Sequence, residues 1–176
     1  MTLLLTGLPS AGKTTLATAA LTAVRSVGYR CEVLDGDVVR RELWPELGLS
    51  RTDRERNLAR MGFVAKLLAG NGVVVLMAAI APYAHTRRAL REAHTAEGIG
   101  FAEVHVATPL RVCRGRDVKG LYARHLRGEI TGLTGVDAVY EAPTAPDLRI
   151  DTSDEPVERS AATLTRFVVD SIGLRS

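Results

Sequence analysis

The sequence predicts an α/β fold, a three-layer, doubly wound parallel sheet, on three observations. Segments of strand and helix character alternate along almost all of the 176 residues, the pattern of parallel strands joined by crossover helices. Val73 to Ile80 is continuously apolar, as suits an internal strand covered on both faces. A shorter apolar run, Leu3-Leu4-Leu5, breaks at Gly7 into a loop that closes as a helix begins near Lys13.

The remaining elements follow in order. Leu16 to Val27 is rich in Ala and Leu and stops at Gly28, a C-terminal helix glycine. Arg30 to Leu34 reads as a second strand that runs into Asp35-Gly36-Asp37. A short helix from Val38 to about Trp44, a turn at Gly48 and a long helix from Asp53 to Asn71 come next, with Ser50 to Asp53 offering an N-cap. Beyond the apolar run come Pro82-Tyr83, a helix from about Thr86 to Thr95, a strand from Phe101 to Ala107, and a helix from Thr108-Pro109 towards Asp117. From Lys119 to Pro146 the hydrophobic period weakens and Gly120, Gly128, Gly132 and Gly135 accumulate, which predicts a mobile lid rather than core. Leu148 to Ile150 is a last short strand and Val157 to Ile172 an amphipathic helix. One domain covers residues 1–176, with no repeat or linker.

Composition narrows the partners. Net charge is only +3, the arginines are dispersed, and aromatics make up 5% without interleaving among them, so a nucleic-acid surface is not expected. No apolar run reaches the length of a membrane span and the chain enters its first strand directly, so the expected location is cytoplasmic. Cys31 and Cys113 lack metal or redox spacing and should be buried free thiols.

The stretch Leu3 to Thr15, LLLTGLPSAGKTT, carries the chemistry. It matches G-x-x-x-x-G-K-[ST] between a strand and a helix, the context that a phosphate-binding loop requires. Glycine at positions 7 and 12 lets the chain bend so that backbone N–H groups converge on an anion, and the helix dipole adds to the field. The ATP-binding set is therefore Gly7, Leu8, Pro9, Ser10, Ala11, Gly12, Lys13, Thr14 and Thr15. Lys13 reaches the β- and γ-phosphates, and the Thr14 hydroxyl ligates Mg²⁺. No guanine-selecting N-K-x-D is present, and the central apolar run ends in Ala81-Pro82-Tyr83 rather than an acidic pair. With acids after strand two, a small-molecule kinase fits better than a GTPase or a motor ATPase.

Further stretches sharpen this reading. LDGDVVRREL, LGLSRTDRERNLARMGFVAKLLAGNG, IAPYAHTRRALR and RDVKGLYARHLRGEITGLTGVDAVYEAP, together with GLPSAGKTT, span nearly the whole chain. In these the sequence resembles the adenylylsulfate kinases, which phosphorylate the 3′-hydroxyl of adenosine 5′-phosphosulfate with ATP. The resemblance implies a phosphate-loop kinase with a lid over Lys119 to Pro143, Mg-ATP as donor, and an assembly that is commonly a homodimer. It implies that Asp37 lies near the acceptor hydroxyl as base or orienting group and helps to hold Mg²⁺. It assigns Arg40, Arg54 and Asn57 to the phosphosulfate and nucleoside, with Ile80 and Ala81 beside the acceptor. Lys119 is assigned to the transferring phosphate and Arg116 to the ATP base. Tyr83 and Tyr140 either touch substrate or pack beside the lid.

Three departures from the family pattern bear on the acceptor. Ala81 stands where a serine is usual, so transfer must be direct. Leu49 and Leu133 stand where two phenylalanines usually sandwich the acceptor's adenine; base stacking contributes about 1–3 kcal/mol per base. A kinase of the same fold acting on a different hydroxyl compound is the alternative expectation.

Overall fold

Residues 1–173 are described by a computed structural model. Among them a five-stranded sheet has the order β2-β3-β1-β4-β5, every neighbouring pair parallel. The strands are β1 (Thr2–Thr6), β2 (Cys31–Asp35), β3 (Val74–Ala78), β4 (Phe101–Val106) and β5 (Leu148–Ile150). The helices are α1 (Lys13–Ser26), α2 (Gly36–Leu43), α3 (Arg51–Gly70), α4 (Ala84–Thr95), α5 (Leu110–Arg116), α6 (Leu121–Leu126) and α7 (Val157–Gly173). The doubly wound α/β prediction is the observed fold, with boundaries moved by a few residues.

The uninterrupted apolar runs have a packing cause. In β1, Leu3 and Leu5 join the core beneath α1 and α7, whereas Leu4 joins a second core with Met61 and Ala65 of α3 and Leu90 of α4. Successive residues of a strand face opposite ways, so a strand covered on both sides must be apolar at every position. β3 obeys the same rule and is buried throughout. At the other end of this logic, α3 starts where Ser50 Oγ accepts from Asp53 N at 3.1 Å, as the N-cap pattern predicts. Cys31 and Cys113 are free and buried.

The lid expectation needs correction in part. Lys119 to Pro146 contains helix α6, and Tyr122 and Leu133 are buried members of the core beneath α1. Tyr122 donates its phenol to Pro9 O at 3.0 Å, and Asp137 accepts from the N–H groups of Gly132 and Leu133. The glycines weaken the period, but the segment still packs, because besides its local Asp137 turn it is held by distant residues, Tyr122 by Pro9 and Gly135 by Leu8 of the phosphate loop and the Gly132–Thr134 turn by Arg54. Among the described residues, no helix is long and apolar enough to cross a membrane.

Candidate active site

Winding changes direction at β1, which has β3 on one side and β4 on the other. Loops beyond the C-terminal ends of such strands form a ligand crevice. Here they surround a cavity of about 700 Å³. Every residue the sequence assigned to ATP, acceptor or metal lines it except Gly7, Leu8 and Ala11. Those three shape the loop from behind. A Cβ on Gly7 would lie 2.5 Å from the Val106 carbonyl oxygen, Leu8 packs on Gly135, and Ala11 is fully buried.

The phosphate loop is bent as an anion cradle requires. Gly12 has φ +95° and caps the start of α1, whose first-turn N–H groups have no acceptor within the helix. Lys13 is buried and donates to Gly7 O at 2.9 Å and Leu8 O at 2.7 Å. Burial pushes its pKa down to about 8, against smaller opposing pulls from Cys113, Asp37 and Asp35. From the far side, the hydroxyls of Thr108 and Thr152 meet each other at 2.9 Å and both reach Ala11 O. Arg116 then donates to the Thr152 hydroxyl at 2.8 Å and to its carbonyl. The guanidinium assigned to the donor base is thereby held beside Gly12.

The D-G-D turn divides its acids between two tasks. Asp35 Oδ1 accepts from the N–H groups of Asp37 and Val38, capping α2, while Oδ2 accepts from the Thr14 hydroxyl at 2.5 Å. The sequence marks Asp35 only as one of the two D-G-D acids and gives it no role of its own, although an acid at a strand end before a helix is an N-cap signal. Asp37 instead pairs with Lys119 across the cleft and with Arg40 at 3.2 Å. Burial raises its pKa, but the hydrogen bond and charge of Lys119, with Arg40 and Lys13, outweigh that and hold it below the usual carboxylate value. Arg40 also donates to Gly48 O at 3.0 Å.

Arg54 staples the start of α3 to the turn at Gly132–Thr134. It donates to Leu49 O at 2.8 Å, Thr134 Oγ1 at 2.6 Å and Gly132 O at 3.0 Å. Asn57, one turn along α3, is buried and accepts from Trp44 Nε1 at 2.5 Å. Leu49 is exposed and Leu133 buried, yet both face the cavity. Ala81 is buried at φ +45°. Tyr83 and Tyr140 do not line it. Arg51 lies 4.5 Å over the Tyr83 ring, and the Tyr140 phenol meets the Thr6 hydroxyl at 3.2 Å.

A divalent cation fits this donor set. Thr14, Asp35 and Asp37 offer hard oxygens, the preference of Mg²⁺. Among the described residues no three His, Cys, Asp or Glu side chains form an all-protein cage, so such an ion would be shared with substrate phosphates, as is usual for Mg²⁺.

Residues 1–151 match the family model for adenylylsulphate kinase. The chain belongs to the adenylylsulphate kinase family. A protein of Synechocystis sp. named probable adenylyl-sulfate kinase is 50% identical over 171 residues, which is 97% of this chain and 94% of that one. The Mycobacterium tuberculosis APS kinase, solved in complex with AMPPNP and APS, superimposes with a TM-score of 0.90 at 41% identity, covering 98% of this chain and 96% of that one. A hexameric APS kinase from Thiobacillus denitrificans has a TM-score of 0.71 at 34% identity, covering 96% of this chain and 28% of that one. The family match is thus nearly global, and it includes every loop around the cavity except the one carrying Thr152.

Proposed function

We propose that this protein transfers the γ-phosphoryl group of Mg-ATP to the 3′-hydroxyl of adenosine 5′-phosphosulfate. The observation that carries the reading is one cavity lined by the phosphate cradle, by Arg40 and Arg54, and by Asp37, which pairs with Arg40 and Lys119. Phosphoryl transfer is mostly positioning and charge neutralisation, and these groups are set out for it.

In this scheme Lys13 and the N-terminus of α1 hold the triphosphate, with Arg116 beside the donor base. Arg40 and Arg54 bind the phosphosulfate. Arg54 has five N–H donors on its guanidinium and directs three of its bonds to protein acceptors. Asp37 stays ionised at neutral pH and accepts the proton of the attacking hydroxyl, whose oxygen bonds to the γ-phosphorus as the bond to the ADP oxygen breaks. Lys119, within reach of Asp37, moves its charge onto the transferring group. Mg²⁺, bound through Thr14 and the D-G-D acids, would supply neutralisation of charge on the β- and γ-oxygens.

A different acceptor, the alternative raised by Leu49, Leu133 and Ala81, is not favoured, because relatives named for the adenylylsulfate activity match over nearly the whole chain. For assembly we propose a homodimer, read by light scattering; for location, the cytoplasm, read by fractionation. The deciding test of function is ADP release from Mg-ATP with and without adenosine 5′-phosphosulfate. Stimulation with 3′-phosphorylated product supports the assignment, and a folded, ATP-binding protein that gives neither refutes it.

A further inference from the structure

Arg87 lies on α4, outside the cavity, and is 3% exposed. A guanidinium so deeply buried must be fully partnered or it would be strongly destabilising. Its three nitrogens reach three separate segments. Nε pairs with Glu103 of β4 at 2.6 Å, NH1 donates to Ala81 O at 2.8 Å and NH2 donates to Glu141 O at 2.8 Å. Glu103 sits opposite Leu4 of β1 in the sheet, so this end is anchored to the strand that feeds the phosphate loop.

The other two partners are the parts that must be positioned around the acceptor. Ala81 has φ +45°, a left-handed conformation that costs a non-glycine residue about 1–3 kcal/mol and persists only where surroundings over-determine it. Its neighbours supply that constraint. The Thr6 hydroxyl donates to Ile80 O at 2.6 Å and meets the Tyr140 phenol, and Arg87 holds Ala81 O. Glu141, at the far end of the segment that begins with Lys119, is laced to the same loop. Its N–H donates to Pro82 O at 2.8 Å, and its carboxylate accepts from Ala84 N at 2.7 Å.

We infer that Arg87 is a positioning residue for the acceptor, fixing the Ile80–Pro82 turn and the Tyr140–Glu141 end of the lid segment as one unit against the sheet. The inference rests on the acceptor lying beside Ala81, as proposed above. It places specificity for the acceptor partly in a residue that touches no substrate. Lysine cannot substitute, since a single ammonium lacks the planar fork that serves three directions at once.

The test compares wild type, R87K and R87M in steady-state kinetics, with amide hydrogen exchange as a second readout. R87K keeps the charge opposite Glu103 and so guards against a variant that fails to fold. The expected result is a rise in acceptor KM of about tenfold to a hundredfold in R87K, the equivalent of losing one or two charged hydrogen bonds. ATP KM should stay within about twofold, and exchange should quicken at residues 80–84 and 140–142 while the amides of β1 and β4 keep their protection. Unchanged acceptor KM, equal losses for both substrates, or exchange quickened throughout the sheet would overturn the inference and leave Arg87 a stability residue. Absence of activity in wild type would instead refute the proposed reaction, and the exchange pattern would still decide the role of Arg87.

Discussion

Replacing Arg54 by methionine tests the acceptor site most directly. The guanidinium makes hydrogen bonds to Leu49 O, Thr134 Oγ1 and Gly132 O, at 2.8, 2.6 and 3.0 Å. It thus ties the start of α3 to the turn that presents Leu133. A hydrogen bond from a charged donor contributes about 1.5–3 kcal/mol, but this side chain is half-buried, so water replaces part of each. A net loss of about 2–4 kcal/mol in ordering that turn, together with any direct contact to the acceptor's anionic groups, corresponds to roughly 30- to 1,000-fold weaker acceptor binding. Methionine keeps much of the apolar stem, so the effect reads the charge and the fork rather than a cavity. Titration calorimetry with adenosine 5′-phosphosulfate in the presence of ADP measures it, and titration of a non-hydrolysable ATP analogue serves as control. Acceptor affinity within threefold of wild type, accompanied by a lower melting temperature, would show that Arg54 only staples the turn.

Three further outcomes are expected. Because burial holds Lys13 at a pKa of about 8 and a bound triphosphate favours its charged form, ATP binding takes up a proton above that pH, and affinity falls about tenfold per pH unit between pH ~8 and ~10. Folding stability responds with the opposite sign. The unfolded lysine holds its proton up to about its ordinary 10.5 and the folded one only to about 8, so unfolding free energy rises with pH across that window; ATP titrations and melts from pH 7 to 10 report both, and flat curves would contradict the burial argument. Leu49 is 67% exposed beside the cavity, leaving room for a ring, so Leu49→Phe should tighten acceptor binding by the ~1–3 kcal/mol of a base stack, with no change for ATP by calorimetry. Lys119→Met should raise the Asp37 pKa, since burial then meets less opposition, and so move the acid limb of kcat/KM to higher pH; a limb that stays in place would separate Asp37 from proton transfer.

Those residues also mark how far the sequence could be read. The phosphate loop and the alternation of strands and helices were legible because their signals are local, a spacing of glycines and an uninterrupted apolar run. Arg54 and Lys119 were legible only through the family pattern, since each is an unremarkable surface cation until the fold brings its partners to it. Arg87 sits in the family-like stretch IAPYAHTRRALR, but nothing in AHTRRALR sets it apart from Arg88 or Arg91, and its three bonds go to residues 6 to 54 positions away. The packed part of the lid segment was hidden for the same reason. Tyr122 bonds to Pro9 and Gly135 packs on Leu8, both more than a hundred residues upstream, where periodicity within the segment carries no information.

Asp35 and Asp37 show why two like residues in one turn cannot exchange roles. Asp35 is held by its own helix and by Thr14, all contacts within the rigid frame of β2, α2 and the phosphate loop. None of these hydrogen bonds comes from the lid segment. Asp37 is held by Lys119, which belongs to that segment, and by Arg40. In the proposed transfer Lys119 shifts its charge towards the phosphoryl group, and Asp37 then loses the partner that does most to keep its pKa low and becomes the better proton acceptor. On the proposed reaction, the acid suited to receive the proton is the one whose counter-ion can leave, and the acid suited to organise the Thr14 hydroxyl is the one whose partners cannot.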